Sequence, residues 1–575
     1  MSQLRRHARS TAVVATLATG GVVLTATAAA AYPTNAYQGP SSSATPYVIP
    51  NDPSDPGTQV QSLVSTPDKV PLAGGPAGAR YQFNGTPDGI GAFDNGDGTY
   101  TTLVNHEFVS GAGAVRAHGS RGSYVSRLVI RKSDNSVISG EDLIKQVFLG
   151  DPTTSTTPAA ADAAAFNRFC SADLPAVSAF YNAASGKGSQ ARIFMNGEES
   201  TGRAFGNVAT GTDTGKTYEL PALGKFSWEN SVANPGTGDK TVVVGDDDSG
   251  PTPGGEIYVY IGDKKSSGST EVQKAGLTGG NLYGIAVQTV GGTGTLAQED
   301  RANGLGTTPN QFSSTFTLFN TGDAAARTAA QLQTASDNTI TKFLRPEDFT
   351  WDADNPSIGY FQTTDRYDGV KDGQAATSTN VGRSRLWKIA FTDINNLPAG
   401  GTITALLDGT ESINMLDNLA SSKGGKLILL EDVGNNPHNG KVWQYDVASD
   451  SLKLLLQHDP DRFGDLNKPA TTPFNQDEET SGVVDVSALY GAPALSGAYY
   501  LFDDQAHYAI TGEAVEGGQL MLLHLGTDVP SQFTTGPAAA MPEVPLAAGL
   551  PLAALVLGGG AYLLKRRRDG RVEMA

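Results

Sequence analysis

The 575-residue chain has one cysteine, Cys170, and only seven histidines. A single cysteine excludes an internal disulfide, so this thiol is buried and inert, paired with another chain, or a metal ligand. The chain also lacks a Gly-x-Ser-x-Gly elbow, a Walker loop and a His-Glu-x-x-His helix. These absences argue against a serine hydrolase, a P-loop nucleotide enzyme and a zincin metalloprotease.

Positive charge is also scarce. The chain has 41 lysines and arginines against 59 acidic residues, which gives a net charge of −18. Such a balance argues against nucleic acid as a partner, because a polyanion would be repelled. A small anionic substrate remains compatible with it, since bound cations can reverse the local sign of charge.

Both ends of the chain carry transport signals. Residues 1–31 combine Arg5 and Arg6 with an apolar run and an alanine-rich cleavage site, which predicts a signal peptide for the Sec or the twin-arginine route. Residues 544–564 are apolar and long enough to cross a bilayer, and the basic segment 565–575 follows. This end is either a permanent membrane anchor with a cytoplasmic tail or a cleaved sorting signal. We therefore expect an exported protein at the outer face of the membrane or in the cell wall.

The body between these signals is rich in turn formers, with 69 glycines and 31 prolines in the whole chain. Short strands alternate with glycine-rich links, which favours an all-β fold whose sheets close radially. We predict a six-bladed β-propeller with loop and small helical insertions over residues 76–530, including a helix within Asp323 to Thr334. Residues 32–75 are interpreted as an N-terminal spacer or arm, and 531–543 as a linker.

The stretch from Phe343 to Asp352 is the most informative one. It is interpreted as a strand running into a loop, with Arg345, Glu347 and Asp348 at the end of the strand, because Pro346 cannot donate to a sheet ladder. Acidic pairs follow other apolar runs along the chain. They include Glu198-Glu199, Asp246-Asp247-Asp248, Glu431-Asp432, Glu478-Glu479 and Asp503-Asp504.

Each pair taken alone could simply end a strand in water. If the pairs meet at one mouth of a propeller, however, their like charges cannot all stay ionised unless cations bind between them. Carboxylate oxygens suit hard ions such as Ca²⁺, and a thiolate adds a preference for a transition metal.

Several of these motifs, in this order, resemble the PhoX-type alkaline phosphatases over most of residues 80–510. The motifs are Thr86-Pro87-Asp88 through Asn105-His106-Glu107, then Glu198-Glu199, Phe226-Ser227-Trp228-Glu229, Arg345-Pro346-Glu347-Asp348 and Glu478-Glu479-Thr480-Ser481-Gly482. The resemblance implies a six-bladed propeller with iron and calcium at the channel mouth. It also implies an arginine that holds the phosphate, and a cysteine and glutamates that hold the metals.

Carried over to this chain, the resemblance implies phosphomonoester hydrolysis with Arg345 as the phosphate-binding residue and Asn105 as a further donor. Trp228 stands where the family has a histidine. Ca²⁺ and Fe³⁺ are the implied metals, with a cysteine for the iron. The metal ligands are expected to be Glu347, Glu199, Glu198, Glu229, Glu107, Asp432, Glu479 and Cys170.

His106 and His507 are either structural or donate a proton to the leaving group. Partners are expected to be a small phosphate ester and, through the C-terminal segment, the membrane; the protein is expected to be a monomer. Two other functions remain open. One is a different calcium-dependent propeller hydrolase, such as a phytase or lactonase, and the other is a non-catalytic calcium-binding surface protein.

Overall fold

The computed structural model describes residues 32–249, 254–289, 294–299, 313–337, 339–366, 384–491 and 497–534. The predicted signal peptide, the apolar segment 544–564 and the basic tail lie outside these residues, as does most of the predicted linker. Among the described residues, no helix has the length and apolar character needed to span a bilayer.

Nearly all regular structure in these residues is β. The strands, in chain order, are β1 Ala36–Gln38, β2 Val48–Pro50, β3 Thr58–Ser65, β4 Lys69–Pro71, β5 Arg80–Gln82, β6 Pro87–Asp94, β7 Thr99–His106, β8 Tyr124–Arg131, β9 Val137–Asp142, β10 Gln146–Phe148, β11 Phe169–Asp173, β12 Tyr181–Asn182, β13 Lys187–Gly188, β14 Ile193–Glu198, β15 Ala204–Val208, β16 Lys216–Glu219 and β17 Trp228–Ala233. They continue with β18 Lys240–Asp247, β19 Gly255–Asp263, β20 Asn281–Val287, β21 Ser313–Gly322, β22 Lys342–Phe343, β23 Pro346–Trp351, β24 Ile358–Thr363, β25 Arg385–Phe391, β26 Gly401–Leu407, β27 Leu416–Ser422, β28 Lys426–Glu431, β29 Lys441–Asp446, β30 Ser451–His458, β31 Glu479–Asp485, β32 Ala498–Gln505 and β33 Gln519–Leu525.

Helices are few and short in the described residues. The α-helices are α1 Glu271–Lys274, α2 Ala329–Ser336 and α3 Ser531–Thr534. Single 3₁₀ turns occur at Ala161–Ala164, Val177–Ala179, Pro221–Leu223, Ala324–Ala326, Leu397–Ala399, Ser487–Tyr490 and Gly512–Ala514. The helix predicted within Asp323 to Thr334 corresponds to α2, where Thr328 and Gln331 form a capping box.

The sheets confirm an all-β, propeller-like architecture. Four sheets are antiparallel meanders that contain β6–β9, β11 with β14–β16, β27–β30, and β31–β33 with β3. The meanders β17–β20 and β23–β26 are joined through β21 in one ten-stranded sheet, whose end strands β17 and β23 lie side by side. Six separate blades are therefore not seen, because β21 hydrogen-bonds to both β20 and β26.

The first strand of each meander lies innermost. These six inner strands, β6, β11, β17, β23, β27 and β31, contact one another in sequence, and β31 contacts β6. The apolar core is divided into clusters that lie between neighbouring sheets. Because the sheets pack face to face, the inner strands surround an axis and bring their first residues to one mouth.

Residues 32–75 are not a spacer, which corrects the sequence-based interpretation. The strand β3 is buried along its whole length and pairs with β33, the last strand within the described residues. β1 pairs with β3, and β2 with β30. The strand was missed because Gln59 and Gln61 make it look polar, yet Gln61 is buried and accepts a hydrogen bond from Asn135 at 2.7 Å.

Candidate metal centre

The stretch around Arg345 enters an inner strand rather than leaving one. After β22, the chain turns at Leu344 and Arg345, and β23 starts at Pro346. A proline fits the first position of a strand, where its missing N–H costs no ladder bond. The prediction that Glu347 and Asp348 end a strand is therefore wrong. They begin the inner strand, and Arg345 precedes it with a φ of +61°.

The other inner strands begin in a similar way. Each carries a potential metal ligand at its first or second position: Asp88, Cys170, Glu229, Glu347, Asp417 and Glu479. In five of the six strands a β-bulge spans this ligand and the next residue. In β31 the irregularity lies at Gly482. Bulges re-aim side chains locally, which turns these ligands towards the mouth.

The second strand of a meander ends where its inner strand begins, because the two are antiparallel. The residue that follows is acidic after β7, β14, β18 and β28. These four acids are Glu107, Glu199, Asp248 and Asp432. They are the acidic strand tips that the sequence indicated, and they meet the inner-strand ligands at the same rim.

Three groups of potential ligands form there, and within each group the ligand atoms lie within 4.8 Å of one another. We call them the first triad (Asp88, Glu107, Cys170), the second triad (Glu229, Asp248, Glu347) and the third triad (Asp417, Asp432, Glu479). Each triad takes one ligand from an inner strand, one from the end of the second strand beside it, and one from the next inner strand. The same arrangement thus repeats around the axis.

Two arginines lie among these acids. Arg345 donates to Asp248 from Nε at 2.9 Å and from Nη2 at 3.1 Å, and its Nη2 is 3.0 Å from Glu347. Arg168, which sequence reasoning missed, donates from Nε to Glu107 and lies 2.5 Å from Glu199. Each arginine directly precedes an inner strand, and Arg168 also has a positive φ, +58°. Backbone strain of this kind is concentrated at functional sites.

Burial and like charge dominate the electrostatics of the second and third triads. Burial, reinforced by Asp248, raises the pKa of Glu347 well above its usual range. Burial and the neighbouring Glu347 do the same to Asp417. The pKa of Asp432 rises to about 7 through burial and the charge of Glu479. In the absence of cations, several of these carboxyls therefore hold protons that a bound cation would displace.

The first triad differs because it contains sulfur. Cys170 is buried, and its thiol donates to Glu199 at 3.4 Å. Burial and the charge of Glu107 raise the pKa of this thiol well above its usual value. Burial opposes ionisation of Glu107 too, but Arg168 and Gln505 outweigh it and lower the pKa of that carboxyl. A thiol beside two carboxylates is a donor set that suits a transition metal such as iron.

The burial and the spacing of the donor atoms also fit a bound hard cation. Asp88 is 3% exposed, and its Oδ1 has no hydrogen-bond partner. Ligand atoms up to 4.8 Å apart can touch one ion, because Ca²⁺ binds oxygen at about 2.3–2.6 Å.

Glu199, a predicted ligand, belongs to none of the three triads, although its carboxylate accepts from the Cys170 thiol. Three further predicted residues lie apart from the triads. Asn105 is fully buried and donates to the Cys170 carbonyl at 2.6 Å, so its amide supports the start of β11. Glu198 is fully buried and is held by Arg203 at 2.7 Å. Burial lowers the pKa of His106 to about 3, and its Nε2 contacts Ser126 at 2.7 Å. His106 is therefore a neutral, structural histidine.

His507 does face a triad. Its Nε2 is 3.5 Å from Glu479, and its Nδ1 is 2.8 Å from Glu516. Although burial opposes protonation, hydrogen bonds to these two carboxylates raise the pKa of His507 well above its usual value.

Asp88, Asp248 and Asp417 were not predicted as ligands, although a short pattern marks two of them. Four inner strands begin with the same three-residue pattern. The first residue is apolar or proline, the second is an acid, and the third is glycine, asparagine or aspartate. The four sequences are Pro87-Asp88-Gly89, Trp228-Glu229-Asn230, Pro346-Glu347-Asp348 and Leu416-Asp417-Asn418. Arg168 carries no such mark.

Beneath the triads, the inner strands line a cavity of about 200 Å³. Its upper wall is polar. Ser171 donates to Glu229 at 2.8 Å, and Asn230 donates to Asp348 at 2.5 Å. The first bond fixes Glu229 of the second triad, and the second fixes Asp348, the residue after Glu347.

No protein-family model and no curated protein sequence matches the chain. Solved structures do resemble it. PhoX of Pseudomonas fluorescens, in complex with the transition-state analogue vanadate, is 12% identical over 83% of this chain and 96% of its own, with a TM-score of 0.54.

The GH93 α-L-arabinofuranosidase of Fusarium graminearum, with arabinobiose, is 7% identical over 79% of this chain and 96% of its own, with a TM-score of 0.34. The β-propeller domain of the trilobed protease of Pyrococcus furiosus is 8% identical over 82% of this chain and all of its own, with a TM-score of 0.28. At these identities the comparison with PhoX shows that the chain shares its fold.

Proposed function

We propose that this protein is an exported, metal-dependent phosphomonoester hydrolase whose active site is the mouth formed by the three triads. The observation that carries the proposal is the position of Arg345, which lies between Asp248 and Glu347 of the second triad. A guanidinium among cation-binding carboxylates is suited to a substrate that is itself an oxyanion.

The fold supports this proposal. We infer that the ten-stranded sheet contributes two blades that β21 joins, so that the chain is a six-bladed propeller. With six blades, all six inner strands begin at equivalent positions around the mouth. The PhoX structure that shares the fold holds vanadate, a transition-state analogue, and vanadate resembles a phosphoryl group in shape and charge.

The triads would hold the cations. The second and third triads contain only carboxylates and would take Ca²⁺, whereas the first triad includes Cys170 and would take iron. When bound, such cations neutralise the acids and polarise the phosphoryl oxygens.

The residues of the chain then have separate tasks. Arg345 binds two phosphoryl oxygens with its fork and fixes the orientation of the ester. Ser171 holds Glu229 of the second triad from the cavity below, and Asn230 holds Asp348, the residue after Glu347. His507 is the candidate proton donor to the leaving group, because it is the histidine at the mouth whose pKa is raised.

The test is an assay of the purified protein with an aryl phosphate, before and after chelation, combined with elemental analysis. We expect turnover, loss of turnover on chelation, and recovery with calcium and iron. Arg345→Gln should lower kcat by about 10²–10³-fold, the typical effect of losing one charge-stabilising donor. Arg131→Gln is the matched control, because Arg131 is about half exposed and pairs with Asp134 in a turn.

The other outcomes separate the alternatives. Calcium without iron, and turnover that needs only calcium, would indicate a calcium-dependent propeller hydrolase. Bound calcium with no turnover of any phosphate ester after metal restoration would contradict the proposed function and favour a non-catalytic surface protein.

A further inference from the structure

We propose that Arg168 is a second oxyanion-binding residue, which acts with Arg345 on the same phosphoryl group and selects phosphomonoesters over diesters. The proposal rests on the proposed function and adds a residue and a substrate preference to it. Sequence reasoning assigned no role to Arg168.

The two arginines occupy equivalent positions in the fold. Arg168 directly precedes β11, and Arg345 directly precedes β23. Each stands two residues before the inner-strand ligand, Cys170 or Glu347, and their φ angles of +58° and +61° are nearly equal. The same left-handed backbone precedes β6 at Thr86 and β27 at Met415, so it belongs to the way inner strands begin, and it places the two arginine side chains at equivalent positions of the ring.

The two guanidinium groups also have similar environments. Arg168 lies between Glu107 and Glu199, as Arg345 lies between Asp248 and Glu347. The side chain of Arg168 is 34% exposed and that of Arg345 is 25% exposed. Both groups are therefore accessible from the mouth while their charge is held among acids. Arg385, which pairs with Glu299, is by contrast enclosed, with both side chains 0% exposed.

The two sites share a neighbour, Ser227. Its Oγ donates to the backbone carbonyl of Glu199, a partner of Arg168, at 3.1 Å, and its own carbonyl accepts from the N–H of Asp248, a partner of Arg345, at 2.9 Å. Glu199 and Asp248 are thus both held by one residue between the two arginines. When cations bind the carboxylates, both forks become available to an oxyanion that lies above Glu199 and Asp248.

The substrate preference follows from the number of oxygens. A phosphomonoester presents three non-bridging oxygens and two negative charges, whereas a diester presents two oxygens and one charge. One arginine fork takes two oxygens. A second guanidinium therefore strengthens binding of the monoester more than binding of the diester.

The test measures binding of inorganic phosphate by calorimetry to the calcium- and iron-loaded protein, so that it does not depend on turnover. Both Arg168→Gln and Arg345→Gln should weaken phosphate binding by about tenfold or more, as expected for the loss of a charge-assisted hydrogen bond. Arg131→Gln should bind phosphate like the wild type. In parallel, Arg168→Gln should lower the ratio of kcat/KM for an aryl monophosphate to that for a bis-aryl phosphate.

Each outcome decides the proposal. If Arg345→Gln loses phosphate and Arg168→Gln does not, Arg168 is a structural partner of Glu107 and Glu199, and the inference is wrong while the proposed function stands. If the loaded wild type binds no phosphate, both are wrong. If Arg168→Gln does not fold, Arg168→Lys replaces it. Lysine keeps the charge but lacks the fork, and unchanged phosphate affinity and ester preference would overturn the proposal.

Discussion

Glu347 at the mouth and Asp94 at the opposite rim are both carboxylates at one end of an inner strand, yet their surroundings are opposite. Glu347 is 2% exposed, and burial together with Asp248 raises its pKa. The Asp94 side chain is 48% exposed and lies 2.7 Å from Lys132. That hydrogen bond, and another from the Gly96 N–H, lower the pKa of Asp94. The first carboxyl resists ionisation, whereas the second is ionised and solvated.

The difference shows why an acidic residue beside a strand is ambiguous in a sequence. An acid in a hairpin turn caps backbone N–H groups, which is a local role. An acid at the mouth meets acids from other meanders, and that convergence depends on the whole ring. The following predictions test the contrast, starting with the largest expected effect.

Replacing the carboxylate with an amide at Glu347 and at Asp94 should distinguish the two positions most clearly. Glu347→Gln should reduce turnover of an aryl phosphate by about 10²–10³-fold, because the site loses a charged group that is fixed in place. Asp94→Asn should leave turnover unchanged. The measurement is kcat of the metal-loaded variants, and equal losses in both would mean that the mouth is not the active site.

The pH dependence of stability should also differ in sign. The folded pKa of Asp417 is raised by burial and Glu347, and that of Asp432 rises to about 7. The folded state therefore binds more protons than the unfolded chain between an unfolded pKa of about 4 and the folded values. In the metal-free protein, the mouth acids therefore lower the free energy of unfolding, and they do so increasingly as the pH rises through this window.

Calcium should consequently raise Tm more at pH 8 than at pH 5, by on the order of 5 °C, as measured by calorimetry with and without chelator. Asp417→Asn should reduce the difference. The turn acids, whose pKa values are lowered, contribute stability that is lost only below about pH 4. A calcium effect that is independent of pH would contradict protonated carboxyls at the mouth.

Glycine substitutions provide a third contrast. A Cβ on Gly89 would lie 2.2 Å from the backbone nitrogen of Ala172 on the next inner strand, so Gly89→Ala forces two strands apart. We expect a loss of unfolding free energy of about 3 kcal/mol. At Gly96 the space is open but φ is +78°, so Gly96→Ala should cost about 1 kcal/mol. Chemical denaturation measures both, and a larger loss at Gly96 would contradict the close packing of the inner strands.

The smallest effect is expected for the ion pair at the far rim. Lys132→Met removes the partner of Asp94, and exposed pairs of this kind contribute about 0–1 kcal/mol. Thermal unfolding should change little at low salt and not at all at high salt. A marked destabilisation would show that the turn at Asp94 has more than a local role.

The sequence was sufficient to predict the all-β fold and the gathering of several acids at one mouth. The acidic tips Glu107, Glu199 and Asp432 do lie at the mouth, as do Arg345, Glu229, Glu347 and Glu479. The three tips lie there because an acid that follows an apolar run is fixed locally, by the end of its own strand, whereas Arg345, Glu229, Glu347 and Glu479 stand where inner strands begin. The roles of these residues as ligands or phosphate-binding groups stay a prediction.

Other features depended on distant parts of the chain. Glu198 looks like its neighbour Glu199 in sequence, but strand alternation places it on the opposite side, against Arg203. The side chain of Asn105 likewise serves an internal contact, because its amide donates to the Cys170 carbonyl. The bridge made by β21 could not be predicted, because its partners β20 and β26 are separated by more than a hundred residues.

The pairing of β3 with β33 has a consequence for how the molecule is made. The two strands lie more than 450 residues apart, and Thr58 lies opposite Leu525. A chain still emerging from the ribosome can form single meanders, but it cannot close the ring until β33 has been made. Ion capture should therefore come last in biogenesis, and a protein truncated shortly before Gln519 should be recovered as an open, cation-free fragment.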